Sequence, residues 1–216
     1  MTSYVRPTID APEFRDAEGQ IIDYGNRWSG SPPEDTYSVD THPERFAPLH
    51  TVTEALITYL RDTYDVDVVE GTETAEDLLA PAYYDVVRAV RIQPNSPACA
   101  SLTLVFTAYP GVYMHAGLLH DFHYPVCGCD ACDSTWFREA DKLEQQVLAV
   151  VTGNYSETIE GGFHPWVDHS FTFPNGTSSG RSDARDLPAD RLKAAEPVLR
   201  DLSEGWAAWP RREADS

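Results

Sequence analysis

From residue 48 onward the apolar positions change their period several times, and each change predicts an element. Leu49, Val52, Leu56, Tyr59 and Leu60 recur at three- and four-residue spacing, which marks one face of a helix. Pro48 suits the first turn of that helix, and Thr51 with Glu54 fits a capping box. Residues 65–70 read as a short strand, 74–79 as a helical turn or two, and 84–92 as a valine-rich strand broken by Pro94 and Pro97. The clearest alternation follows. Leu102, Leu104, Phe106 and Ala108 face one way, and Ser101, Thr103, Val105 and Thr107 face the other. Tyr109-Pro110-Gly111 signals a turn, and residues 112–122 are expected to return as one partner strand.

A second helix is predicted after Asp133 or Ser134 as cap, with Trp136, Ala140, Leu143, Val147 and Val150 or Val151 on its apolar face and Gly153 as its stop. Strand-like pieces cover 155–160, 167–173 and 177–184. A last helix starts near Asp186-Leu187-Pro188, carries Leu192, Ala195, Leu199 and Leu202, and contains Pro197, which predicts a kink or a restart. Residues 1–47 lack either period and hold Pro7, Pro12, Pro32, Pro33 and Pro43. They also hold Tyr4, Phe14, Tyr24, Trp28, Tyr37 and Phe46, and aromatics at that density pack on something. The fold class is therefore α+β: an antiparallel sheet with about three helices packed on it and an irregular, aromatic-rich N-terminal arm. The expected division is an arm (1–47), a single domain (48–205) and a tail (206–216) that is loose apart from Trp206 and Trp209.

Charge narrows the partners. Asp and Glu number 35 against 16 Lys and Arg, a formal charge of −19. Such a field repels phosphate backbones and anionic lipid, so neither nucleic acid nor membrane is the expected partner; a cation or a basic protein partner is. Acidity that serves only solubility is the plainer reading. Arg6, Asp10, Glu13, Arg15, Asp16 and Glu18 interrupt any apolar leader, and the longest apolar run is Val147 to Val151, so a cytoplasmic location is expected. Oligomeric state is left open.

The most specific chemistry is Cys127-Gly-Cys129-Asp-Ala-Cys132, a C-x-C-x-x-C spacing holding three of the four cysteines. Crowded thiolates repel one another, and a zinc ion relieves the repulsion by binding them as anions. Gly128 permits a tight turn between two of them. A structural zinc site takes four ligands, and the candidates for the fourth are Cys99, His115, His120 and His123. If Pro110-Gly111 is the hairpin tip, Ser101 faces His120 and Cys99 lies opposite Phe122, so both reach the open end near the cysteines. His115 then lies opposite Phe106 as a core histidine. The expected ligand set is Cys127, Cys129, Cys132 and His120, with Cys99 or His123 as alternatives to His120. Buried reduced thiols are the plain alternative to a metal, and a redox pair is another, because Cys129-Asp-Ala-Cys132 precedes a helix.

Other constellations are weaker. Gly176-Thr-Ser178-Ser-Gly180 matches G-x-S-x-G, but no histidine follows His169, so it reads as a turn. His164, Asp168 and His169 could ligate a metal but read more simply as a polar strand and turn. Arg27, Trp28, Glu34, Asp35, Tyr37, His42, Glu44 and Arg45 could line a pocket or form a clasp. No catalytic residue is assigned.

Three stretches together carry a resemblance: Tyr4-Val-Arg-Pro7; Asp23 to Trp28 running through Pro32 to Tyr37 and Thr41 to Phe46; and Pro125-Val-Cys-Gly-Cys-Asp-Ala-Cys132. On these the chain resembles an uncharacterised, actinobacterial-type family of unknown function over most of its length. The resemblance implies one folding unit and brings no activity, substrate or catalytic residue. The expected function is a non-enzymatic binding or regulatory module with a structural zinc, and the alternative is a small metal- or thiol-dependent enzyme whose arm closes its pocket.

Overall fold

A computed structural model describes residues 3–162, 164–202 and 204–213. It contains two antiparallel meanders with three α-helices. Helix α1 (Pro48–Thr63) buries Leu49, Val52, Leu56 and Leu60 of the expected face, leaves Tyr59 half-buried at its edge, and adds Ile57, which the spacing does not single out. Its start differs from the expectation. Pro48 opens the first turn, but Ala47 precedes it without a side-chain cap, so Thr51 and Glu54 form no capping box. A 3-10 turn at Pro43–Phe46 delivers the chain into the helix instead, and Glu54 reaches across to Arg88.

The larger sheet runs β1 (Val66–Glu70), β2 (Val86–Pro94), β3 (Leu102–Thr107), β4 (Val112–Ala116) and β5 (His120–Tyr124), in sequence order. Strand β3 is central and buried on both faces, as its six apolar or threonine side chains allow. Leu102, Leu104 and Phe106 join the main core with α1 and α2. Val105 joins a smaller cluster with Leu78 and Ala89, roofed by the segment after the 3-10 turn Thr72–Asp77.

The hairpin register corrects one expectation with large consequences. Phe106 pairs with Val112 and Thr103 with His115. The return does not continue as one strand: Gly117, at φ 67, turns the chain again, and β5 pairs back on β4 with His120 opposite Ala116. A side chain at Gly117 would collide with the Glu157 carboxylate, so this second turn needs glycine for both its angle and its space. The extra hairpin reverses the chain, so His120 lies at one end of the sheet while Tyr124 delivers the cysteines to the other.

Helix α2 (Trp136–Val151) is capped by Thr135, whose hydroxyl accepts from the Arg138 amide, rather than by Asp133 or Ser134. The second sheet, β6 (Tyr155–Glu160), β7 (Trp166–Phe173) and β8 (Gly176–Asp183), packs Tyr155, Val167 and Phe171 into the shared core. Helix α3 (Ala189–Asp201) runs as one element through Pro197. The tail is anchored by the two tryptophans excepted from its expected looseness, and its backbone is also tied to the domain, with the Ala207 amide donating to the Ala98 carbonyl at 2.8 Å and the Arg212 amide to the Thr63 carbonyl at 3.1 Å. Trp206 and Trp209 are buried, the Trp209 indole donates to the Ala100 carbonyl at 2.8 Å, and Arg211 bridges to Tyr64. None of the helices among the described residues is long and apolar enough to cross a membrane.

Candidate metal centre

The cysteines sit on the loop between β5 and α2. Cys129 precedes a single 3-10 turn, Asp130–Cys132, which Asp133 ends in the left-handed conformation at φ 50. The Sγ atoms of Cys127, Cys129 and Cys132 all lie within 4.8 Å of one another, and the Cys127–Cys129 pair is 3.3 Å apart. That is far beyond a disulfide bond of about 2.05 Å. Thiolates at roughly 2.3 Å from a tetrahedral zinc stand about 3.8 Å apart, a separation that lies between the 3.3 Å of this pair and the 4.8 Å limit of the group. Gly128 serves a different purpose from the tight turn expected of it. A Cβ there would overlap the Tyr109 hydroxyl and crowd the Phe46 ring, so the loop lies flat against two aromatic side chains.

The arm holds this loop in place. Asp130 is buried between Arg27 and Arg45, with guanidinium nitrogens 3.6 and 3.7 Å from its Oδ1, and the Thr41 hydroxyl donates to its Oδ2. Its amide donates to the Val39 carbonyl at 2.7 Å, and its carbonyl accepts from the Trp28 indole at 3.2 Å. Arg45, itself buried, donates to the Gly128 carbonyl at 2.5 Å and to the His42 carbonyl at 3.0 Å. The Arg27 amide donates to Asp133 at 2.9 Å. Of the two readings of the arm, pocket wall or clasp, these bonds describe a clasp. Two cations around one buried carboxylate are stable only as a set, because removing either partner leaves an uncompensated charge.

The electrostatics of the sulfurs are divided. Cys132 is pushed up to about 12 by its hydrogen bond to Cys127, by burial and by the neighbouring Cys129. Burial also raises Cys129, but amide and thiol donors, led by the Cys132 N–H, more than reverse this and leave it below the usual thiol value. The two neighbouring sulfurs are thus pushed in opposite directions. Only a cation lets all three ionise together.

The expected fourth ligand is placed elsewhere. Strand β5 carries the chain roughly 13 Å from His120 before the cysteine loop begins, and the His120 Nδ1–H is committed to Glu157 Oε1 at 2.7 Å. Cys99 is buried at the same far end, its thiol 3.3 Å from the Ala208 carbonyl. His115 is a core histidine, opposite Thr103 rather than Phe106, with Nδ1 2.7 Å from Asp121. His123 does reach the cysteine end, tilted at 55° against Tyr113 with ring centres 4.3 Å apart, yet among the described residues the metal-capable group holds the three cysteines alone. As for the redox alternative, Cys132 lies outside α2, so neither Cys129 nor Cys132 stands on that helix's N-terminus.

Two features went unread in the sequence. A cleft of about 330 Å³ borders Cys127 and Cys129, lined by Tyr83, Tyr84, Tyr109, Tyr113 and His123. The Tyr83-Tyr84 pair beside Pro81 was its only local signal. At the opposite end Glu157, fully buried, accepts from the Leu118 and Leu119 amides at 3.0 and 2.9 Å, from His120, and from the Trp206 indole at 3.0 Å. His169 packs on His120 with ring centres 4.6 Å apart. Asp168 is paired with Arg181 at 2.6 Å. Ser178 lies inside β8, opposite Phe171, so the G-x-S-x-G run is strand and not turn.

A family model, that of a family of unknown function, DUF6226, matches residues 10–213. No curated protein and no solved structure is detectably similar to the chain.

Proposed function

Because the chain belongs to DUF6226, a family that carries no known activity, we propose from the geometry of its own loop that it is a binding or regulatory module built around a structural zinc site. The observation that carries this reading is the convergence of three sulfurs within 4.8 Å on a loop clamped by the arm. Zinc suits the donors: three thiolates with a borderline-soft, redox-inert ion. The ion fixes the loop, the loop fixes Asp130, and Asp130 anchors Arg27, Arg45 and Thr41. Four unpaired cysteines support a reducing, cytoplasmic setting. The formal charge of −19 supports a basic partner.

The test is metal analysis of the purified chain with thiol titration before and after chelation. One zinc per chain, three thiols that become reactive only on chelation, and a lower melting temperature after chelation support the reading. A metal-free protein with an unchanged melting temperature sinks it. A second reading, a small metal- or thiol-dependent enzyme, is favoured by one observation: the cleft borders two of the three sulfurs. It requires an open position on the metal, which cobalt substitution reports as a spectrum sensitive to added azide or imidazole.

A further inference from the structure

The cleft beside the cysteine loop is built from tyrosine faces in an electronegative setting. Tyr83 and Tyr84 meet at 89° with ring centres 4.9 Å apart, which makes a corner. Tyr84 stacks on Tyr109 at 4.6 Å, extending one wall inward, and the Tyr113 hydroxyl accepts from the Tyr83 amide at 3.3 Å, tying the far side to the corner. Tyr83 is 85% exposed, an unusual cost for so large a ring unless that face has a use. The Tyr109 hydroxyl is buried without a hydrogen-bond partner. Asp40, Cys127 and Cys129 also line the cleft. Burial first, and then the charge of Asp40, hold the phenols of Tyr84 and Tyr109 above their ordinary range.

The chain's own cations are spent elsewhere. Arg6, Arg27 and Arg45 cover Phe137, Trp28 and Tyr24, and among the described residues no arginine lies over a tyrosine of the cleft. Perpendicular aromatic faces with a carboxylate in the lining attract an ammonium group through the ring quadrupoles and through charge. A phosphate or a carboxylate would meet Asp40 instead, and a purely apolar ligand would gain nothing from that charge.

We infer that the tyrosine cleft formed by Tyr83, Tyr84, Tyr109 and Tyr113 with Asp40 is a binding site for an organic ammonium cation. This deepens the binding-module reading by naming what the basic partner would present, but it needs no metal.

Calorimetric titration at physiological salt, on protein as purified and after chelation, tests it with three probes. These are choline, its neutral isostere 3,3-dimethylbutan-1-ol, and N-acetyl-lysine methylamide. At least one of the two cations is expected to bind at least tenfold more tightly than the neutral isostere, and which one does so separates a free quaternary amine from a lysine side chain. Tyr84→Leu and Asp40→Asn should each weaken that binding about fivefold to tenfold, the loss of one cation–π face or one lining charge, while melting like the parent. Equal affinity for the neutral isostere, no binding of either cation, or unchanged binding in both variants would overturn the inference. Cation binding by a protein that metal analysis shows to be zinc-free as purified would leave the inference standing while the zinc reading falls.

Discussion

The two ends of the larger sheet each gather side chains that could hold a metal, and they differ in how those side chains are satisfied. At the His120 end every oxygen of the Glu157 carboxylate faces a donor from the chain itself: two amides, an imidazole and an indole. At the cysteine end the surrounding polar groups serve Asp130 and the backbone, and the sulfurs face chiefly one another. The Glu157 carboxylate is thereby satisfied by four donors, although two imidazole nitrogens beside it, His120 Nε2 and His169 Nδ1, are buried without a hydrogen-bond partner. The cysteine end concentrates potential negative charge that the chain's own cations do not reach, because Arg27 and Arg45 are spent on Asp130. Both ends thus hold unmatched ligand atoms, but among the described residues only the cysteine end brings three metal-ligating groups within 4.8 Å of one another.

The sharpest way to break that contrast is to remove the Glu157 carboxylate from its four donors. Glu157→Ala strands four buried donors, and urea unfolding should show a loss of about 3–5 kcal/mol, with no change in metal content. A variant that is instead as stable as the parent would show that the network is not the anchor described. Next in size is the cysteine end. Cys129→Ser, or chelation of the parent, should remove the ion and lower stability by roughly 3 kcal/mol, the gain expected when free metal exceeds its dissociation constant about a hundredfold. Arg45→Ala removes one of two cations from Asp130 and should cost about 2 kcal/mol, together with faster proteolysis of the arm before residue 47.

The smallest effect is a pH slope at the His120 end. Burial, then the nearby His120, lower His169 from 6.5 to about 4, against the opposing pull of Glu157 and Asp168. The unfolded chain takes up a proton below pH 6.5 and the folded one does not until about pH 4. Stability from this group is therefore complete above 6.5 and drains as pH falls towards 4. Its size at a half-buried ring is roughly 1 kcal/mol after solvent screening. His169→Phe should flatten the difference between urea midpoints at pH 7 and pH 5 relative to the parent.

Local periodicity made much of this molecule legible. The faces of α1 and α2 and the antiparallel α+β class follow from spacing, because one-sided burial writes a period into sequence; β3 was legible as a strand, but its alternation hid that both of its faces are buried. What it could not supply was the second turn at Gly117. A lone glycine inside an apolar run carries little signal, yet it moves His120 from the cysteines to the opposite end. The three sulfurs were legible because they are neighbours in sequence. The clasp was only half so: its aromatics announced packing, but the pairing of Arg27 and Arg45 with Asp130 spans about a hundred residues and leaves no local trace. The tyrosine cleft was illegible for the same reason, since Tyr84 and Tyr109 meet only through strand pairing.

X-ray absorption at the zinc edge of the purified protein asks the central question in one spectrum. Three sulfur scatterers near 2.3 Å and a single lighter atom are expected, because Cys99, the remaining thiol, is fixed at the far end of the sheet. An edge too weak for one zinc per chain, or a shell made only of nitrogen and oxygen, would contradict the account.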